Sequence, residues 1–143
     1  MCAVTSATPT DRALLVHRLF DAWSSGEPDR LEPLFAPDAV FFDAVNGTFR
    51  GWPAIREFYA NSLNIWSRLD CRVTRVWVDG DTAALTWTMS GEVSTDRFGP
   101  GTAGATCRID GMAWVEFDGD LIVRDEEYFD REAAKASLAA SPG

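Results

Sequence analysis

The chain has little of what most catalytic centres are built from. Its 143 residues include one histidine, His17, and one lysine, Lys135. A single imidazole excludes a site made from several, such as a three-His zinc centre. The three cysteines, Cys2, Cys71 and Cys107, have no short spacing between them. An odd, sparse set makes neither a disulfide framework nor a zinc clip, and it suits a reducing, cytoplasmic compartment. No apolar run approaches a membrane span, and the start MCAVTSATPT lacks the basic region and long apolar run of a signal peptide. Basic residues are scattered singly, and the net charge is −9 with a pI near 4.5. An acidic field repels phosphates, so neither nucleic acid nor an anionic membrane is an expected partner.

What is present is aromatic. Six Trp and nine Phe stand in a chain that is 46% apolar and 24% charged. The balance is that of an ordinary globular domain, and the length suits one core. So many rings predict a core around a cavity, or an apolar interface. With histidine scarce and no metal cluster in view, carboxylates are left as the proton carriers.

Residues 1–9 read as a disordered tail and 10–140 as a single domain. Thr10 or Asp11 is placed to cap a first helix running to about Ser25. Val16, Leu19, Phe20 and Trp23 form its apolar stripe. A short second helix carries Leu31, Leu34 and Phe35 until Pro37-Asp38 breaks it. Ala39 to Val45 reads as a strand ending at the hairpin pair Asn46-Gly47. Pro53 opens a third helix with Ile55, Phe58, Tyr59 and Ser62 on one side. From there the pattern is β: 73–78, 82–93, 106–117 and 121–129, joined through Asp79-Gly80, a Gly/Pro-bearing loop and Asp118-Gly119. A terminal helix covers 131–140. Helices first and antiparallel strands after define an α+β class. A curved antiparallel sheet around three N-terminal helices makes a cone with one open end.

Three carboxylates stand out. Alternation in Val40-Phe41-Phe42-Asp43-Ala44-Val45 puts Asp43 on a face with Phe41 and Val45. Desolvation there raises a carboxyl's pKa toward the range of a general base near neutral pH; the alternative is an Asp that caps the hairpin and faces water. Glu127 shares a strand face with Asp125 and Phe129, either as a solvated charged face or as part of a crowded acidic cluster. Nine acids fall between Asp110 and Glu132, against Arg124 and Arg131 alone. Asp110 is either a catalytic acid within the sheet or the partner of a bulge at Gly111. Asp79, Asp81, Asp118 and Asp120 sit on hairpin tips without the other ligands of a calcium loop, so no metal is expected. His17 lies one step off the apolar stripe of its helix and reads as partly exposed.

The segment FAPDAVFFDAVNGTFRGWPAIREFYANSL, residues 35–63, resembles bacterial ketosteroid isomerase within the nuclear-transport-factor-2-like superfamily that includes SnoaL-like polyketide cyclases. Ile55 to Leu63 is the closest stretch, and Tyr128-Phe129-Asp130 resembles the ending of the superfamily's epoxide hydrolase and cyclase branches. The resemblance implies a cone with an apolar pocket, a homodimer through the sheet, and neither metal nor organic cofactor. It puts Asp43 where the isomerase has its proton-shuttling Asp, and Tyr59 where a Tyr supports the oxyanion-binding Tyr.

The departures shape the function. The oxyanion hole of that isomerase combines a Tyr with a protonated Asp. The Tyr position falls on Leu19, and the second acid on Asp110 or Ala113, depending on the anchor. Loss of one such donor costs about 2.7–4 kcal/mol of transition-state stabilisation. The epoxide hydrolase branch needs an Arg and an Asp near Thr86–Ser90, where neither stands. The cyclase branch needs one acid or base among aromatic walls, which Asp43 or Glu127 can supply. Phe20, Trp23, Phe41, Tyr59, Trp66, Trp87, Met112 and Trp114 are the candidate walls. The expectation is a cofactor-independent cyclase or isomerase for a hydrophobic carbonyl compound. The alternatives are an epoxide hydrolase-like enzyme and a non-catalytic binding or assembly module.

Overall fold

The computed structural model describes residues 8–139. The expected tail at 1–7 and Ala140 lie outside them. Helix α1 spans Pro9–Ser24 and begins earlier than expected. Thr8, rather than Thr10 or Asp11, is the cap: its side chain accepts from Asp11 N at 3.1 Å, and Asp11 Oδ2 accepts from Thr8 N at 3.0 Å. This reciprocal pair satisfies two backbone donors at the helix start. The stripe Val16, Leu19, Phe20 and Trp23 is buried, and His17 is exposed.

The expected second helix is replaced by two single turns of 3-10 helix, Pro28–Arg30 and Glu32–Leu34. Prolines at 28 and 33 lack the N–H that a longer α-helix needs. The chain then enters β1, Phe35–Asp43, earlier than expected, and turns into β2, Gly47–Arg50. Pro37 sits in a register irregularity of β1 between Phe35 and Val40, where its missing N–H breaks no regular ladder. Helix α2 spans Trp52–Ile65, with Pro53 in its first turn. Strands β3 (Trp66–Asp79), β4 (Thr82–Val93), β5 (Thr106–Asp118) and β6 (Leu121–Phe129) follow, then α3, Arg131–Ala139. β3 is longer than its apolar signal, because Ser67, Arg68, Asp70 and Arg72 hide the alternation of an edge strand.

The six strands form one sheet in the order β2-β1-β6-β5-β4-β3. It is mixed rather than purely antiparallel. β6 returns to the centre and pairs parallel with β1, matching Phe41 to Asp125 and Asp43 to Glu127. The concave face receives α1 and α2, so the α+β cone holds, with two α-helices and two 3-10 turns at its start instead of three helices. Arg12, buried beneath α1, straps the β-hairpins together. Its guanidinium donates to Asp81 Oδ1 at 2.9 Å and to Gly119 O, and lies 4.7 Å from the centre of the Phe117 ring. Among the described residues, no helix is long and apolar enough to cross a membrane.

Candidate active site

A cavity of about 380 Å³ opens between the concave sheet and the helices. Its buried walls are largely aromatic: Phe20 and Trp23 from α1, Phe41 from β1 and Trp87 from β4. Phe58 of α2 and Phe129 of β6 also line it, in ring contact with these walls: Phe41–Phe58 centroids are 5.3 Å apart and Trp87–Phe129 centroids 6.0 Å. The exposed lining residues mark the open side. They are Val45 and Asn46 of the β1–β2 turn, Arg97 and Phe98 of the β4–β5 loop, and Arg131 and Lys135 of α3. Phe98 stacks on Trp66, the expected wall residue at the end of α2, at 5.8 Å.

Two glycines make room for the tryptophans. A Cβ on Gly111 would meet Trp87 Cζ2 at 2.3 Å, and one on Gly91 would meet Trp66 Cε3 at 2.7 Å. Gly111 pairs directly with Trp87 in an unbroken β4–β5 register, so the bulge expected there is absent. The glycine is needed because the indole lies flat over its backbone.

The concave face gathers three carboxyls with little solvent contact: Asp43 at 6% exposure, Glu127 at 7% and Asp125 at 0%. Asp43 and Glu127 are lateral partners on β1 and β6, and both line the cavity. Asp125 is two residues before Glu127, and so on the same face. Asp43 caps the hairpin as one reading of its sequence expects, but from a buried position rather than one facing water. Its Oδ1 accepts from Val45 N at 2.8 Å and Asn46 N at 2.9 Å, capping the hairpin, while the side chain still borders the cavity.

Burial pushes the Asp125 carboxyl up from its ordinary 3.8 to about 7. Burial also drives the Glu127 carboxyl well above its ordinary 4.5, with the neighbouring Asp125 charge adding to the rise. In their ionised forms neither Asp125 oxygen nor Glu127 Oε2 finds a hydrogen-bond donor. A proton on Glu127 creates one, donated to Asp125, so the pair keeps a shared proton where isolated carboxyls have lost theirs. The Trp87 indole favours the charged form of Glu127, although its N–H makes no hydrogen bond of full geometry. Among the described residues, none of the ion pairs reaches these three acids.

Several expected site residues lie elsewhere. Asp110 is on the outer face, accepting from Thr88 Oγ1 at 2.8 Å and 3.5 Å from Arg108 Nε. Alternation along β5 turns it outward with Met112, which is 51% exposed, and with Trp114. None of the three lines the cavity. Ala113 is the inward position, and directly beside it on β6 is Glu127. Tyr59 is fully buried outside the cavity lining. Its hydroxyl donates to Trp23 O at 2.6 Å and accepts from Gly26 N at 3.1 Å, fixing the end of α1 to α2. Leu19 is fully buried in the core and donates nothing to the cavity. Asp125 is the member that sequence reasoning did not single out, although its shared face with Glu127 was visible. The cavity cysteines are protected thiols. Burial pushes Cys71 up to about 12, and Cys107 Sγ donates to Ala134 O at 3.5 Å.

These features define a small α+β cone with an acidic, ring-lined cavity. The family model described as SnoaL-like domain matches residues 16–125, and the chain belongs to that family. A protein from Xanthomonas campestris, provisionally named a polyketide cyclase, is 20% identical with a TM-score of 0.81, covering 90% of this chain and 97% of its own. A protein of ketosteroid isomerase-like fold from Catenulispora acidiphila, solved with trimethylamine, is 20% identical with a TM-score of 0.78 over 93% of this chain and 95% of its own. An LEH-like epoxide hydrolase from M. tuberculosis is 15% identical with a TM-score of 0.75, covering 92% and 91%. At these identities the shared property is the fold.

Proposed function

We propose that the protein is a cofactor-independent acid/base enzyme, a SnoaL-like cyclase or isomerase, acting on a hydrophobic, enolisable carbonyl compound. The observation that carries this reading is the facing pair of cavity carboxyls, Asp43 and Glu127, in different settings on adjacent strands. Asp43, held by two backbone N–H donors at Oδ1, is the base that takes a proton α to the carbonyl. Glu127 retains a proton with Asp125 and donates it, or a hydrogen bond, to the developing enolate oxygen. It thereby takes over the work that the Leu19 position does not do. The aromatic walls exclude water and hold the rings of the substrate. The epoxide hydrolase alternative is disfavoured, because the cations of the cavity are the exposed Arg97, Arg131 and Lys135 rather than a buried Arg between acids.

Deuterium exchange from solvent into enolisable apolar ketones, followed by mass spectrometry, tests the reading without the natural substrate. Asp43→Asn keeps the oxygen that caps the hairpin and loses exchange; ketone binding, read by Trp fluorescence, survives. Full exchange in that variant contradicts the assignment. Ketone binding with no exchange in the wild type favours the non-catalytic module. Exchange requires the Glu127 proton, so it declines as pH rises through the raised pKa of that group.

We also propose a homodimer through the outer sheet face, where Trp77, Met112 and Tyr128 are exposed. Arg72 and Arg75 on β3 and Asp110 and Glu126 on β5 and β6 lie towards opposite sides of this face, an arrangement a twofold pairing can match. Met112→Lys then shifts sedimentation from dimer to monomer. The free thiols Cys71 and Cys107 fit a reducing cytoplasm.

A further inference from the structure

Three buried carboxyls lie on one face of the sheet without an ion-pair partner among the described residues, and two of them, Asp43 and Glu127, line the cavity. Asp43 comes from β1, and Asp125 and Glu127 from β6. The other titratable group facing Glu127 is the Cys71 thiol of β3. β5 presents Ala113 beside it, and β4 presents Leu85 and the Trp87 indole. Glu127 borders the cavity with one oxygen buried and unpartnered in its ionised form. Among the described residues, no group of such side chains is arranged to hold a metal ion. Trp23, Phe41 and Trp87 line the same cavity, with the indole N–H of Trp87 turned toward Glu127.

We propose that the molecule this cavity binds carries a tertiary or quaternary ammonium group, seated between the aromatic walls and the Asp43–Glu127 pair. Rings attract a cation through their quadrupoles, and carboxylates attract it through their charge. An alkylated ammonium is weakly hydrated compared with a primary one, so it sheds water into an apolar site at lower cost. A neutral guest of the same shape gains the ring contacts without the charge. The inference goes beyond the proposed function and rests on it for the premise that this cavity is the binding site: with the ammonium seated, the pair gives up its proton and the charge of the cation stabilises the developing enolate in its place. The exposed Arg97, Arg131 and Lys135 keep the positive charge of the protein at the open side, apart from the ammonium seat.

The test compares benzyltrimethylammonium with neopentylbenzene, its neutral shape match, at pH 8. Binding is followed by Trp fluorescence, and by calorimetry in two buffers of different ionisation enthalpy. The cation is expected to bind at least about tenfold tighter than the neutral probe and to release protons from the acid pair. In the double variant Asp43→Asn/Glu127→Gln the preference falls severalfold and proton release shrinks, with circular dichroism confirming the fold. Equal or tighter binding of neopentylbenzene overturns the inference, as does binding of neither probe. A cation preference undiminished in the double variant overturns it too, because the ammonium is then elsewhere. Deuterium exchange separates the two readings. Carboxylate-dependent exchange without cation preference defeats the ammonium alone, and cation preference without exchange defeats the acid/base reading alone.

Discussion

Glu126 and Glu127 are adjacent in sequence and chemically identical, yet they sit on opposite faces of β6. Glu126 points outward, accepts from Tyr128 Oη at 2.7 Å and from Arg124 Nε at 2.8 Å, and is held below the ordinary carboxylate value by those two bonds. Glu127 points inward and is driven well above that value by burial and by Asp125. Strand alternation thus separates a solvated charge from a proton reservoir within one residue. The outer face satisfies its acids with neighbours. The inner face leaves both oxygens of Asp125 and Oε2 of Glu127 without a donor, and perturbed groups of this kind cluster at functional sites.

The largest expected effect breaks this comparison at its catalytic end. Glu127→Gln lowers ketone deuterium exchange by roughly 10²–10⁴-fold, while Glu126→Gln leaves it unchanged. Equal losses in the two variants would mean that the faces do not differ in function.

Next comes stability against pH. The folded pKa of Asp125 lies above its unfolded value, so the folded state holds a proton that the unfolded state releases. Stability from this group is therefore greatest below its ordinary 3.8, falls as pH climbs from there to about 7, and is flat above. Asp125→Asn removes that loss, and at pH 8 it stabilises the fold by on the order of 2–4 kcal/mol in urea unfolding. A destabilised variant with an unchanged pH profile would show that the carboxyl is not strained.

Crowding on the inner face gives a smaller effect. Gly111→Ala forces a Cβ into the Trp87 ring and costs about 1–3 kcal/mol, with a shift in Trp fluorescence. At the outer end, Tyr128→Phe removes one exposed bond to Glu126 and leaves the melting temperature at the wild-type value.

Much of this was legible in the residues. The 35–63 segment carried the fold. The stripe of α1 and the strands from 82 onward followed from periodicity, which put Asp43 on a face with Phe41 and Glu127 on a face with Asp125 and left open whether those faces are buried. Other features depend on distant pairing. The parallel match of β1 with β6 unites Asp43 and Glu127, and it joins segments more than eighty residues apart. Asp110, Met112 and Trp114 face outward on β5, against the expectation of a site there, because a strand's own pattern does not say which face meets the helices when both faces carry large apolar side chains. Tyr59 is no cavity wall because its hydroxyl is tied to the backbone of α1. Asp125 stayed hidden because three consecutive acids usually mark a solvated surface.

The most direct test of the acid pair is carboxyl carbon NMR of Asp- and Glu-labelled protein across pH. The account predicts that Glu127 remains protonated at pH values where Glu126 is fully ionised, and that its resonance moves together with that of Asp125. Glu127 titrating at its ordinary 4.5, independently of Asp125, would contradict it.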